Sequence, residues 1–248
     1  MSTLEKLAKS AVMISPRTAE VVYRLVILWR ARQAAKQGGP FGQSAEDAWF
    51  LGWLRDANIP WAESGFYIDI GANHPVFLSA TYLLYKSGWR GLTIEPIPSL
   101  SSLHKRLRSR DTRLNVGVGV RNGTQSFWET APDYFSSFSK KAVAEAEASG
   151  WCRILRERQV QVMTPSEILQ HVHHGVRVNY LSIDTEGLDS EILASWPWDQ
   201  CRPDMVACEA SAVDSSDAQR ILASQGYAMV KKFPVTAFWQ SPEFADRY

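Results

Sequence analysis

Asp69, Glu95 and Asp184 each follow a short apolar run, and that placement is where this chain first points to chemistry. In an open parallel sheet, ligands sit beyond the carboxyl ends of the strands, so acids at strand ends face a common crevice. The run Gly65-Phe66-Tyr67-Ile68-Asp69-Ile70-Gly71-Ala72-Asn73 reads as a strand ending in an acid and a glycine turn. Gly71 would let the backbone approach a ligand where a Cβ would collide, and the start of the following helix offers free N–H groups. Thr93-Ile94-Glu95-Pro96 ends a second strand at roughly the 20-residue-plus spacing of a ribose-binding carboxylate. Glu95 can accept both hydroxyls of a ribose.

The turn narrows the cofactor. A dinucleotide fingerprint surrounds its pyrophosphate with three glycines, whereas Gly71 is followed by Ala72, Asn73, His74 and Pro75. An adenosine without a pyrophosphate, as in S-adenosylmethionine, therefore fits better than a nicotinamide cofactor. Asp184 closes the strand Val178–Ile183 beside the same crevice, and Thr185-Glu186-Gly187 forms a polar turn after it. Methyl transfer from a sulfonium is an in-line displacement that requires an aligned acceptor oxygen and a destination for its proton. Asp184, Glu186 and His74 are the catalytic candidates, as base or as anchor of the hydroxyl.

Each assignment has a structural competitor. Asp69 could simply cap the next helix, Glu95 could be a turn residue before Pro96, and Asp184 with Glu186 could close a turn or bind a metal through oxygen. No metal is expected. His171, His173 and His174 stand at the end of a helix over Pro165–Val172, where cationic side chains suit the helix dipole. His104 and the charged stretch to Arg113 read as a solvated helix face.

These residues resemble the FkbM-type methyltransferases, S-adenosylmethionine-dependent O-methyltransferases of sugars and natural products. The similarity begins at Phe41-Gly42-Gln43-Ser44-Ala45-Glu46-Asp47 and continues through Tyr67–Asn73, Thr81–Tyr85, Gly88–Gly91 and Glu95-Pro96. It runs on through Leu114–Val118, Ser136–Ser139, Leu181–Gly187 and Glu191–Leu193. His74 departs from it, since an acid is common there in similar sequences. The resemblance implies an α/β, Rossmann-like doubly wound, mostly parallel sheet of the class I methyltransferase type, with an N-terminal helical extension. The cofactor-binding set is then Asp69, Gly71, Ala72, Asn73, Glu95, Pro96, Gly117 and Asp184. Asp69 and the Gly71–Asn73 backbone would hold the methionine end, with adenine near Val116–Val118. The Tyr134–Phe138 loop covers the pocket or packs beside it.

The elements that must position these residues follow from alternating helical and β-rich runs. Strands are expected at about Phe66–Ile70, Gly91–Glu95, Leu114–Val118, Gln125–Glu129, Val178–Ile183, Asp204–Cys208 and Tyr227–Phe233. Helices are expected near Leu78–Ser87, Ser99–Arg108, Lys140–Ser149 and Ser190–Ser195.

A chain of 248 residues with 45% hydrophobic content suffices for one α/β domain with a sizeable core. A net charge of +1 gives no electrostatic case for nucleic acid. Cys152, Cys201 and Cys208 show neither metal spacing nor a disulfide framework, in keeping with reduced thiols and a cytoplasmic setting. Of ten tryptophans, Trp49, Trp53 and Trp61 cluster before the first core strand, where core packing competes with sugar stacking. Residues 4–36 read as one or two helices, too short in their apolar stretch Val21–Trp29 for a membrane span. They would cap the domain, mediate homo-oligomerisation or lie on a membrane surface. Gln37-Gly38-Gly39-Pro40 divides this extension, residues 1–39, from the methyltransferase domain, residues 40–248. The expected partner is a small-molecule or glycan acceptor bearing a hydroxyl.

Overall fold

The computed structural model describes residues 38–209 and 215–248, together with Val21, Leu25, Trp29, Ala31, Arg32, Gln33 and Lys36. These seven have helical backbone, and the remainder of the segment 4–36 expected as helix lies outside the described residues.

Strand β1, Phe66–Ile70, is buried at every position, which is how a central parallel strand covered on both faces reads. It pairs in parallel with β2, Arg90–Ile94, on one side and with β7, Tyr180–Ile183, on the other. With β3 (Thr112–Leu114), β8 (Met205–Glu209), β9 (Ala228–Lys232) and β10 (Thr236–Gln240), these form a seven-stranded sheet in the order β3-β2-β1-β7-β8-β10-β9. Strands β3, β2, β1, β7 and β8 run parallel, and β10 is antiparallel to both neighbours. The strand order reverses direction between β1 and β7, which places the switch point of a doubly wound Rossmann-like sheet beside Asp69, Asp184 and Glu95.

Two-residue alternation sorts the sheet's side chains into two cores. Ile68, Ile70, Leu92, Ile94, Leu181 and Ile183 pack on one face with Ile192, Leu193 and Leu222. Tyr67, Tyr180, Ala207 and Phe238 pack on the other with Phe50, Leu51 and Leu54 of helix α1, Glu46–Asp56, and with Leu84 and Trp89. Burying each such side chain is worth about 1.5–3 kcal/mol. Trp49, Trp53 and Trp61 are partly buried against this second core, so they are packing residues, and Trp49 meets Phe238 edge-on at 5.1 Å.

The run expected as one strand over Leu114–Val118 divides. Residues 112–114 extend the main sheet as β3, while Gly117–Val118, β4, turns away to join a separate sheet of order β4-β6-β5. Its long members are β5, Gly123–Ala131, and β6, Arg153–Met163, paired antiparallel. Strand β6 was not anticipated. Its exposed Gln159 and Gln161 alternate with buried Val160 and Val162, but Arg153, Arg156, Glu157 and Arg158 fall in its first half. Arg156 reaches Glu129 on β5 at 3.0 Å, and Arg158 pairs with the same carboxylate. A 3₁₀ turn, Asp133–Phe135, and helix α4, Lys140–Ala148, connect the two strands.

Helix α2 is shorter than expected, Tyr82–Lys86, and α3 covers Pro98–Leu107. Helix α5, Pro165–Leu169, ends before the three histidines, which are exposed. Among the described residues no helix is long and apolar enough to cross a membrane.

Candidate functional site

A cleft enclosing about 600 Å³ of space open to solvent lies beyond the carboxyl ends of β1, β2 and β7. Of the residues singled out from the sequence, Gly71, Asn73, Glu95, Pro96, Gly117, Asp184 and Glu186 line it. Val116, Val118, Phe127 and Phe138 supply an apolar end, and Asp133, Tyr134 and Ser136 a polar one. The small sheet and its connecting turn thus form one wall. Ser137 Oγ ties that wall to the β7 turn by donating to the Glu186 carbonyl at 2.9 Å.

Gly71 has φ +78°, and a Cβ there would stand 1.8 Å from the Asp184 carbonyl oxygen. The turn can pass across the neighbouring strand end only because the residue is glycine. Gly71 and Ala72 both donate their N–H to the Ile94 carbonyl, at 3.1 and 3.0 Å. Asn73 follows at φ +43°, a left-handed conformation that asparagine tolerates. Gly117 has a parallel constraint, since a Cβ there would meet the Phe138 ring at 2.2 Å.

Glu95 lies one residue beyond β2 and is 4% exposed. Its Oε2 accepts from the Asn73 N–H at 2.8 Å and its Oε1 from the Ile97 N–H at 2.6 Å. A carboxylate has about four acceptor positions, so these bonds orient it and leave capacity for a ligand's hydroxyls. Burial pushes its pKa up to about 8, with Asp133 across the cleft adding to the shift.

Asp184 opens onto the cleft, and Glu186 beside it has φ +54°. Desolvation by the surrounding protein, then the carboxylates of Asp189 and Glu209, hold Asp184 well above the usual aspartate range. Glu186 is raised in the same way, by desolvation and then by Asp184. Asp189 secures the turn: its Oδ1 accepts from the Thr185 N–H and hydroxyl at 3.0 and 2.6 Å, and its Oδ2 from the Glu209 N–H at 3.1 Å. Among the described residues no group of histidine, cysteine, aspartate or glutamate is arranged to hold a metal ion.

Three sequence assignments are corrected. Asp69 does not line the cleft. It alternates onto the Tyr67 face of β1, where its Oδ2 accepts from Thr81 Oγ1 at 2.5 Å in a buried cluster with Arg108. Ala72 is also set back, 6% exposed and engaged through its backbone. His74 is buried, and its Nδ1 accepts from the N–H groups of Val76 and Phe77 at 3.2 and 3.0 Å. The ring is therefore a cap for its own turn, and that nitrogen is not free to take a substrate proton.

The expected solvated face over His104–Arg113 is also corrected. His104 and Arg108 are both 1% exposed. Arg108 donates from Nε to Asp111 Oδ2 at 2.7 Å and from Nη2 to the Tyr67 hydroxyl and Thr81 Oγ1 at 2.6 and 2.8 Å. His104 Nε2 meets the Asn73 carbonyl at 2.8 Å. Asp133 was visible in the sequence as part of an aromatic and serine-rich loop, but nothing there placed it opposite Glu95.

The profile of the methyltransferase FkbM domain matches residues 69–229, more than half of the chain and every residue lining the cleft. The chain belongs to the FkbM methyltransferase family. S-adenosylmethionine is the cofactor of that family, and the cleft suits it: a glycine turn, a buried strand-end carboxylate and an apolar slot lie along one groove. Among solved structures, FkbM methyltransferase from Methylobacillus flagellatus KT is similar with TM-score 0.44 and 12% identity, over 89% of this chain and 60% of that one. A TehB-like SAM-dependent methyltransferase from Corynebacterium glutamicum is similar with TM-score 0.39 and 12% identity, over 86% and 95%. Magnesium protoporphyrin IX methyltransferase from Synechocystis PCC 6803, solved with bound SAM, has TM-score 0.39 and 9% identity, over 84% and 81%. No curated protein matched the chain.

Proposed function

We propose that this FkbM-family protein is an O-methyltransferase acting on a hydroxyl of a sugar, glycan or secondary metabolite. The observation that carries the reading is the meeting of Glu95, the Gly71–Asn73 turn, Asp184 and Glu186 in one cleft. In this reading Glu95 accepts the ribose hydroxyls and the Gly71–Asn73 turn seats the methionine end. Val116, Gly117 and Val118 face adenine, with Phe138 closing that slot. Residues 40–248 are the catalytic domain.

Bound S-adenosylmethionine supplies an electrophilic methyl on a sulfonium. Asp184 and Glu186 would hold the acceptor hydroxyl facing that methyl, and the wall bearing Tyr134 and Ser136 would limit water. The acceptor's hydroxyl proton would pass to whichever of Asp184 and Glu186 is ionised as a carboxylate. Both groups are raised from their usual range, so the proton-accepting form gains population as pH rises.

Calorimetry with S-adenosylmethionine and with NAD tests the cofactor assignment. The methyl donor should bind, NAD should not, and Glu95→Ala should remove the binding. Mass spectrometry of hydroxylated acceptors incubated with the protein should show the gain of one methyl group. Donor binding without turnover across a broad library would favour a non-catalytic, sensing module.

A further inference from the structure

The turn that seats the cofactor's methionine end is held from both sides of one residue. Asn73 donates its N–H to Glu95 and presents its carbonyl to His104. Both partners come from the β2–α3 unit: Glu95 follows the strand, and His104 lies within the helix. A carbonyl oxygen only accepts, so Nε2 of His104 carries the hydrogen and Nδ1 is bare. That bare Nδ1 is buried without a hydrogen-bond partner. Burial holds the ring neutral, with its pKa pushed down to about 3, and the guanidinium of Arg108 adds to the effect. Among the groups around it, His74 and Arg113 act in the same direction.

A leucine or methionine would fill the same space without stranding a polar atom. What histidine adds is a donor aimed at the Asn73 carbonyl. Asn73 needs it because its backbone is left-handed at φ +43°, and its side chain is engaged elsewhere. Its Oδ1 accepts from the His74 N–H at 2.6 Å, and its Nδ2 points to Asp133 Oδ1 at 3.4 Å.

We propose that His104 is a positioning residue for the cofactor, a buried donor that locks the Asn73 carbonyl so that the Gly71–Asn73 turn keeps the conformation that receives the methionine end. The inference rests on the cofactor placement proposed above. It separates the two supports of the turn: Glu95 also faces the ligand, whereas His104 acts only through Asn73.

Calorimetry with S-adenosylhomocysteine on the full chain and on His104→Met and His104→Gln tests it. Methionine matches the volume without the donor and should weaken binding roughly tenfold, the effect of one lost hydrogen bond. Glutamine, whose amide can donate to the same carbonyl, should recover most of the loss. Equal binding by wild type and His104→Met, or no recovery in His104→Gln, would overturn the inference. Absence of binding by wild type would instead overturn the cofactor placement beneath it. Should His104→Met not fold, ¹⁵N spectra of the wild-type imidazole decide: a neutral ring with hydrogen on Nε2 that responds to S-adenosylhomocysteine supports the role. Hydrogen on Nδ1, or no response, refutes it.

Discussion

Gly71 and Asp184 sit in van der Waals conflict avoided by a single missing carbon, since a Cβ on Gly71 would stand 1.8 Å from the Asp184 carbonyl oxygen. The Gly71–Asn73 turn and Asp184 are therefore fixed relative to each other by backbone contact. Gly71→Ala should disrupt both ends of the cleft at once. The positive φ alone costs about 1–2 kcal/mol for alanine, and the overlap with backbone adds to it. Calorimetry should show loss of S-adenosylmethionine binding, together with a lowered thermal midpoint. Retained affinity would mean that the turn can relocate.

His74 and Asp184 were equal candidates in the sequence, and their geometry now separates them. His74→Asn should keep methyl transfer within a few-fold, because the asparagine oxygen can replace Nδ1 as acceptor for the following N–H groups. Its stability should fall by about 0.5–1.5 kcal/mol. Asp184→Asn should cost turnover ~100-fold or more if it is the base. Initial rates at saturating donor distinguish the two. Equal losses would return His74 to the site.

The ionisable groups of the ligand-free protein oppose one another across pH. Asp189 is pushed up to about 6 by burial, and Asp184 and Glu186 shift in the same direction. Their folded-state pKa values lie above the unfolded ones, so stability is present at low pH and is lost as pH rises through the folded values. Buried His74 and His104 are pushed down to about 4 and about 3, so stability is lost as pH falls from about 6.5. Thermal midpoints should therefore decline as pH rises above about 6.5, where the histidines no longer oppose the carboxyls, and Asp184→Asn should flatten that decline. An unchanged slope in the variant would show that the carboxylates are not crowded in solution.

Arg108 and Asp111 form an ion pair at 2.7 Å with side chains 0% and 1% exposed. Asp111 also accepts from the Tyr67 hydroxyl, and Arg108 bridges to the Thr81 that holds Asp69. Arg108→Met leaves a buried carboxylate without its cation, which should cost about 3–5 kcal/mol. Chemical denaturation measures this directly. A loss below 1 kcal/mol would show that the pair is dispensable.

Much of the framework was legible because parallel strands buried on both faces read as near-continuous apolar runs. Phe66–Ile70 and Tyr180–Ile183 announce themselves in that way, and glycine at position 71 carries its own backbone requirement. The strand β6 was hidden because its first half is rich in charge, and Arg156 and Arg158 find their partner only across the sheet in Glu129. The break of Leu114–Val118 into two sheets likewise depends on β6 as the partner of Gly117 and Val118.

The sequence by itself determined the strand-end acids, the glycine turn and the family, since each follows from residue type and order. Only the tertiary structure decided which acids share the cleft. A one-residue step along β1 turns Asp69 to the opposite face, toward Arg108 and Thr81, and no local pattern records what waits there. His104 and Arg108 read as surface for the same reason. Their charge and polarity are local, but their burial is set by Asn73, Tyr67 and Asp111, which arrive from other strands and turns.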